Sequence, residues 1–230
     1  MVQILETVTE TQTQSLEELA TAHKFIREIK QEDLPKLMQI VSDTFKGIEK
    51  GEIADIVKAI EQSANLNAFN DLLLKKADFA SIIVQGTDEK VPTAEIGKIQ
   101  GVITFSPDLA IAHNKDLRDK LNELSREHNL PQAGNSAFPV IEMTAAKLDG
   151  AAKGQMFNGG YEALLYLFQC ANALSGDAKS LIVIGRIDKS NIASIKLTER
   201  NGFVLLGESP LDSNTLIYQA NWKHILGENS

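Results

Sequence analysis

The pattern of apolar and polar positions predicts helices and strands from about residue 25 onward. Apolar residues spaced three or four apart predict helices, and short apolar runs bounded by turn residues predict strands. The predicted order is a strand at 25–30, helices at 31–45 and 52–76 with breaks at Asn65 and Asn67, strands at 79–85 and 95–105, a helix at 114–128, a strand at 138–145, a helix at 158–174, a strand at 180–186, a helix at 192–200, and strands at 203–207 and 215–220.

This order predicts an α/β (α+β) fold, in which a mixed sheet carries helices on both faces, because hairpins occupy the first half and helices alternate with strands in the second. The run at 180–186, SLIVIGR, is nearly all apolar and predicts a strand buried on both faces. Neither an internal repeat nor a Pro/Gly/Ser-rich linker is present. We therefore expect one domain over residues 25–230, a polar N-terminal tail over residues 1–24, and a helical insertion near residues 114–128.

Composition narrows the class of function. The net charge of −8 argues against binding to nucleic acid, which needs a basic surface, and fits either a cationic acceptor or plain solubility. The chain has neither an apolar run of roughly 18 residues nor a secretory signal, so we expect no membrane association and a cytoplasmic location. The single cysteine, Cys170, lies among apolar residues and predicts a buried structural thiol. The four histidines lack metal-ligand spacing, so no metal site is expected.

The segment from Glu142 to Leu165, EMTAAKLDGAAKGQMFNGGYEALL, combines a strand, a glycine-bearing loop and an apolar helix. The first N–H groups of a helix are unpaired and attract anions, and glycines let a bulky anion approach the backbone. The segment is therefore a candidate phosphate site, although neither GxGxxG nor GxxxxGK[ST] occurs in it. A purely structural glycine turn remains an alternative.

A second segment, NIASIKLTERNGF, follows the buried strand, begins at Asn191 and ends at Phe203. In combination with the glycine-bearing turn upstream, it resembles the signature of the GNAT (GCN5-related N-acetyltransferase) superfamily. The resemblance extends from about residue 25 to residue 220 and is closest between residues 138 and 207. It implies a GNAT-like, mostly antiparallel central sheet and binding of acetyl-CoA.

The resemblance also implies particular coenzyme contacts. The family's pyrophosphate loop, Q/R-x-x-G-x-G/A, matches if Gln155 takes the first position and Gly160 the last, with Asn158 in place of the first glycine. A register that starts at Lys153 places Met156 at that glycine and fits less well. The implied partners of the pantetheine arm are backbone groups of Met143, Thr144 and Ala145, with Asn191 beside the arm. Lys153 is the implied cation near the phosphates. The implied pyrophosphate loop consists of Gln155, Met156, Phe157, Asn158, Gly159 and Gly160, whose N–H groups would bind the pyrophosphate.

Transfer of an acyl group to an amine requires a base for the ammonium proton and, usually, an acid for the leaving thiol. Glu142 is the candidate base, because an apolar strand would desolvate its carboxyl and raise its pKa; an outward-facing strand residue is the alternative. The family's general acid is a tyrosine at the position of Thr198. Tyr161, Tyr166 and Tyr218 are candidate substitutes for this acid. Alternatively, the thiolate leaves without an acid.

The sequence thus predicts an acetyl-CoA-dependent N-acetyltransferase that acts on an amine of a small molecule or of a peptide. One alternative is a non-catalytic GNAT-fold module that binds acyl-CoA or a partner. Another is an α/β domain in which the glycine turn is only structural. A homodimer is compatible with each of them.

Overall fold

The computed structural model describes residues 25–44, 57–58, 60–64, 67–86, 98–147 and 153–228. The predicted tail at residues 1–24 and most of the predicted turn at residues 86–88 lie outside these ranges. The elements are β1 (Ile26–Glu28), a 3₁₀ turn (Gln31–Asp33), α1 (Leu34–Thr44), α2 (Ala68–Leu73), β2 (Ala80–Gln85), β3 (Ile99–Pro107), α3 (Leu109–His113), α4 (Lys115–Glu127), β4 (Ile141–Lys147), α5 (Lys153–Ser175), a 3₁₀ turn (Ala178–Ser180), β5 (Val183–Asp188), α6 (Ile192–Arg200), β6 (Phe203–Ser209), β7 (Asp212–Ala220) and α7 (Trp222–Ile225).

Seven strands form one sheet in the order β1-β2-β3-β4-β5-β7-β6. Every neighbouring pair is antiparallel except β4 and β5, which run parallel. Antiparallel neighbours can be joined by short connections, whereas a parallel pair needs a crossover, and here α5 supplies it. The predicted mixed, mostly antiparallel sheet is confirmed.

Helices cover both faces of the sheet, as predicted. Along β2, Ile82 and Val84 point into the main core beneath α5 and α2, while Ile83 points into a second cluster beneath α1, because successive side chains of a strand alternate between faces. A third cluster, which contains Ile111, Leu121 and Ile184, lies beneath α3 and α4 on the same face as α1. The main core therefore lies on the α5 face, and the two smaller clusters lie on the opposite face.

The predicted helix near residues 114–128 is α4, which Asn114 caps by accepting hydrogen bonds from two backbone N–H groups. Ser125 fixes α4 to the sheet, since its hydroxyl shares a 2.7 Å hydrogen bond with Gln219 Oε1 in β7. Two short helices, α3 and α7, are not in the predicted order. Their N-caps, Asp108 and Asn221, are of the residue types that favour helix starts. Among the described residues, no helix is both long and apolar enough to cross a membrane.

The largest difference from the prediction is the start of α5. The glycines suggested a loop up to about Asn158, but the helix begins at Lys153. Residues 155–157 are therefore helical rather than part of a loop.

Candidate functional site

The two parallel strands form a fork. β4 and β5 pair only at Ile141 with Val183 and at Glu142 with Ile184. Beyond these pairs β4 continues to Lys147 and β5 continues to Asp188 without further pairing to each other. Backbone groups that face the gap in a split sheet need other hydrogen-bond partners, so an open fork suits an extended, amide-containing ligand.

A cleft of about 290 Å³ occupies the fork between β4, β5, α6 and the early part of α5. Apolar side chains from β3, β5, α6 and β6 line much of it, including Ile103, Ile187, Leu197 and Phe203. Five residues assigned to the coenzyme by the sequence resemblance also line it: Met143, Thr144, Ala145, Gly160 and Asn191. The structure thus brings together residues that lie up to 48 positions apart in the chain, from Met143 to Asn191.

The proposed phosphate donors need correction, because α5 starts earlier than expected. The predicted donors, the N–H groups from Met156 to Gly160, belong to the helical hydrogen-bond ladder and are not available to a ligand. A helix that begins at Lys153 leaves the N–H groups of its first turn, from Lys153 to Gln155, without a partner inside the helix. Any anion site at this helix end therefore lies one turn upstream of the predicted position.

The two adjacent glycines of α5 have different surroundings. A Cβ on Gly159 would lie 2.7 Å from Cγ1 and 2.9 Å from Cγ2 of Val84 in β2, so glycine allows α5 to pack closely on the sheet. A Cβ on Gly160 would lie 3.2 Å from Asn201 Nδ2, at the floor of the cleft. Gly159 thus has a packing role, and only Gly160 borders the cleft.

Asn191 caps a helix and also lines the cleft. Its Oδ1 accepts a hydrogen bond of 3.1 Å from the backbone N–H of Ser194, which caps α6. Both residues also line the cleft. Because β5 ends at Asp188, the start of α6 lies at the open end of the fork.

Glu142 stands at the last paired position of the fork, on the face opposite α5, and is partly exposed. Burial raises the pKa of its carboxyl above the usual value, and this effect exceeds the lowering by the Arg186 guanidinium; Asp108 adds to the rise. The direction agrees with the desolvation argument made from the sequence. Arg186 Nη1 donates a hydrogen bond of 2.7 Å to Glu142 Oε2, and Arg186 Nη2 pairs with Asp108 Oδ2.

Sequence reasoning did not identify Arg186 and Asp108. The available signals were weak: Arg186 is the one charged residue at the end of the apolar run, and Asp108 follows Pro107 at the start of a short helix. Neither pattern by itself indicates a cluster of charges. Only the fold brings the two residues together with Glu142.

Thr198, at the family's tyrosine position, lines the cleft. The three tyrosines are not among the described lining residues, and each hydroxyl has another partner. Tyr161 donates to the Ile225 carbonyl oxygen at 3.0 Å, Tyr166 to Glu28 Oε1 at 2.9 Å, and Tyr218 to Glu199 Oε1 at 3.4 Å. Burial also raises the pKa of Tyr166 and of Tyr218. In this conformation the cleft therefore has no tyrosine acid among its described residues.

Cys170 is fully buried in the main core, and burial raises the pKa of its thiol to about 12. It therefore remains a neutral thiol near pH 7, as its apolar neighbours suggested. Among the described residues, no group of three or more His, Cys, Asp and Glu side chains is placed to hold a metal ion.

No protein-family model and no curated protein sequence matches the chain. Solved structures do match its fold. One is the aminoglycoside acetyltransferase AAC(6')-Ib in complex with coenzyme A and kanamycin, with 13% identity, a TM-score of 0.52, and coverage of 89% of this chain and 98% of that chain. The same enzyme with ribostamycin and coenzyme A matches at 14% identity and a TM-score of 0.52, over 89% and 96% of the two chains. At this level of identity, the likeness shows a shared fold alone.

Proposed function

We propose that this chain is a divergent member of the GNAT superfamily that binds acetyl-CoA in the forked cleft and transfers the acetyl group to an amine. One observation carries the proposal. The split between β4 and β5 is lined by residues from both sequence segments that resemble the family, in a fold shared with a coenzyme A-bound acetyltransferase. Two segments that resemble one family are expected to meet at one site if they share a function.

The residues present fit the coenzyme in shape and in hydrogen-bonding capacity. The pantetheine arm contains amides, and the edge of β4 from Met143 to Ala145 offers backbone groups to them along the wall of the cleft. The free N–H groups of the first turn of α5, from Lys153 to Gln155, would receive the pyrophosphate, because a helix N-terminus favours anions. Asn191 would lie beside the arm at the open end of the fork.

Bound acetyl-CoA would supply the acyl group as a thioester whose leaving thiol has a modest pKa. The chain itself supplies the base. Glu142, with a pKa raised by burial, would accept the proton of the incoming ammonium, directly or through water. Thr198 cannot replace a tyrosine acid, so we expect the thiolate to leave unaided.

The acceptor is most simply a cationic amine, on a small molecule or on a peptide. The net charge of −8 favours such a ligand through long-range attraction. Kanamycin, which is present in one of the matching structures of an aminoglycoside acetyltransferase, is a suitable first acceptor for a screen.

Thr198 supports a second candidate function, a GNAT-fold module that binds acyl-CoA without turnover. The two candidates share the coenzyme site and differ in chemistry. Release of free thiol from acetyl-CoA when an amine is added would identify the enzyme. Tight binding without thiol release, across a wide set of amines, would favour the module.

Binding itself is tested by thermal unfolding with acetyl-CoA. A ligand present at 100 times its Kd stabilises the folded state by about 2.7 kcal/mol. For a chain of this size that corresponds to a rise in Tm of about 5 to 10 °C. Acetate and adenosine at equal concentration are the controls. An unchanged Tm at saturating acetyl-CoA would contradict both candidate functions.

A further inference from the structure

Three charged side chains form a connected cluster at the base of the fork: Asp108, Arg186 and Glu142. Glu142 belongs to the last paired position of β4 and β5, opposite Ile184. Arg186 lies two residues after Ile184 on β5 and therefore on the same face of the sheet. The Arg186–Glu142 ion pair thus spans the two strands where they begin to separate, on the face opposite α5.

The carboxylate oxygens of Asp108 and Glu142 differ in their hydrogen-bond partners. Asp108 Oδ1 accepts a hydrogen bond of 2.8 Å from the Ile111 N–H and caps α3, while Oδ2 pairs with Arg186. Glu142 Oε2 receives Arg186 Nη1 at 2.7 Å. The described part of the chain offers no hydrogen-bond partner to Glu142 Oε1.

Exposure increases along the cluster. The side chain of Asp108 is 2% exposed, that of Arg186 is 17% exposed and that of Glu142 is 27% exposed. The buried Asp108 carboxylate, which accepts two hydrogen bonds, thus anchors the Arg186 guanidinium, and the guanidinium orients the Glu142 carboxylate. Such an arrangement fixes the position of Glu142 Oε2, and the second oxygen has no partner among the described residues.

The charges of the cluster do not balance. Two carboxylates share one guanidinium, so one negative charge remains when all three groups are ionised. A half-buried excess charge is unfavourable unless it is paired, and a ligand that brings one positive charge would neutralise it. An ammonium group has that charge and donates hydrogen bonds, which Oε1 can accept.

We propose that this cluster is the acceptor end of the site: Arg186, anchored by Asp108, is a positioning residue that holds Glu142 Oε2, and Glu142 Oε1 binds the ammonium of a cationic amine and takes its proton. The inference rests on the proposed function. The cleft reaches the same point of the fork from the α5 face, since Met143 and Arg186 both line it. One proton would move from the ammonium nitrogen to Oε1, and the neutral amine would then attack the acyl carbon as the carbon–sulfur bond breaks. The second proton of the attacking nitrogen would pass to the released thiolate, so that an amide and a free thiol form.

The test is a titration of the Glu142 carboxyl by ¹³C NMR, with Glu142→Gln used to assign its resonance. The charged groups that face Glu142 among the described residues are Arg186 from β5 and Asp108 from the start of α3. Arg186→Met keeps the apolar stem and removes the cation, so it should raise the pKa of Glu142. Asp108→Asn removes a like charge and keeps a good N-cap, so it should lower that pKa.

Amine binding is followed in the same spectra with 1,4-diaminobutane as the probe, in the presence of coenzyme A, which has no acetyl group to transfer. The Glu142 resonance should shift on addition of the diamine in the wild type, and the response should be lost in Arg186→Met. Arg186→Lys should recover it only in part, because an ammonium cannot bridge two carboxylates as a planar guanidinium does.

Pairing that serves only the fold would give a different result. The pKa shifts would remain, because they follow from the charges alone, but the diamine would leave the Glu142 resonance unchanged in the wild type, and that result would overturn the proposal. A pKa that moves in the same direction in both variants would overturn it too, because the three side chains would then not interact. If Arg186→Met does not fold, Asp108→Asn still decides the direction of the shift. A wild type that fails to bind acetyl-CoA would instead refute the proposed function, which the carboxyl titrations in the free protein do not depend on.

Discussion

The close approach of α5 to the sheet makes Gly159 a sensitive position for stability. In Gly159→Ala, the new methyl group would lie 2.7 and 2.9 Å from the two methyl carbons of Val84. Val84 is fully buried in a strand with neighbours on both sides, so neither it nor the helix can move freely. The substitution should therefore destabilise the fold, although alanine is the better helix former.

The magnitude follows from two opposing effects. Overpacking of a buried site costs about 1–3 kcal/mol. Replacement of glycine by alanine inside a helix stabilises the helix by about 1 kcal/mol. With two contacts below 3.0 Å, the cost should lie in the upper part of its range, which leaves a net loss of about 1–2 kcal/mol in the free energy of unfolding.

Urea unfolding, followed by circular dichroism and by the fluorescence of the single tryptophan, Trp222, measures this loss. Gly160→Ala is the matched control, because it makes the same change one residue later in the same helix. Its Cβ would meet only the end of the Asn201 side chain, at 3.2 Å, so its stability should change less. The double variant with Val84→Ala should show favourable coupling, since the obstructing methyl groups are gone. A Gly159→Ala protein more stable than the wild type would refute the close packing of α5 on β2 at Gly159.

Other predictions concern the charged and polar groups. Glu142→Gln should lower kcat by about 10²- to 10⁴-fold, the usual contribution of a general base, with acetyl-CoA affinity unchanged in calorimetry; equal losses in both would argue against a role as base. The bidentate hydrogen bonds from Arg27 hold the pKa of Asp33 below its usual value, so this pair stabilises the fold above about pH 4 and ceases to do so as the pH falls through the lower, folded-state pKa. Asp33→Asn should thus cost about 1.5–3 kcal/mol at pH 7 in urea unfolding and progressively less in acid, and a pH-independent cost would contradict this. Ser125→Ala should cost about 1–3 kcal/mol because it leaves buried Gln219 Oε1 without its partner, and an unchanged urea midpoint would contradict that contact.

Local patterns predicted those parts of the fold that local forces determine. The helix at residues 192–200 has the predicted bounds because Asn191 caps its start and Gly202, with φ of +84°, ends it. The strand at 180–186 reads as a buried strand because apolar residues occupy both of its faces, and β5 contains the greater part of it. These signals lie within a few residues of the elements that they specify.

The start of α5 and the charged cluster depend on long-range contacts instead. Glycines usually indicate a turn, but the glycine at position 159 is needed because Val84, 75 positions earlier, leaves no room for a Cβ. Arg186 and Asp108 are 78 positions apart and meet only because β4 and β5 run in parallel beside the start of α3. The family motif likewise predicted only part of the lining of the cleft. Met143 to Ala145, Gly160 and Asn191 line it, whereas the N–H groups at the start of α5 lie one helical turn upstream of the predicted donors.

The proposed binding of acetyl-CoA in the cleft between β4 and β5 is tested most directly at Gly185. Gly185 lines the cleft, and a Cβ there would meet no atom within 4 Å, so a larger side chain would enter the cleft without disturbing the fold. Acetyl-CoA binding is measured by calorimetry for the wild type, Gly185→Ala and Gly185→Leu, with cooperative unfolding of each variant as the control. We predict binding to the wild type, weaker binding to Gly185→Ala and no detectable binding to Gly185→Leu. Equal affinity of acetyl-CoA for all three proteins would show that the coenzyme does not occupy this cleft.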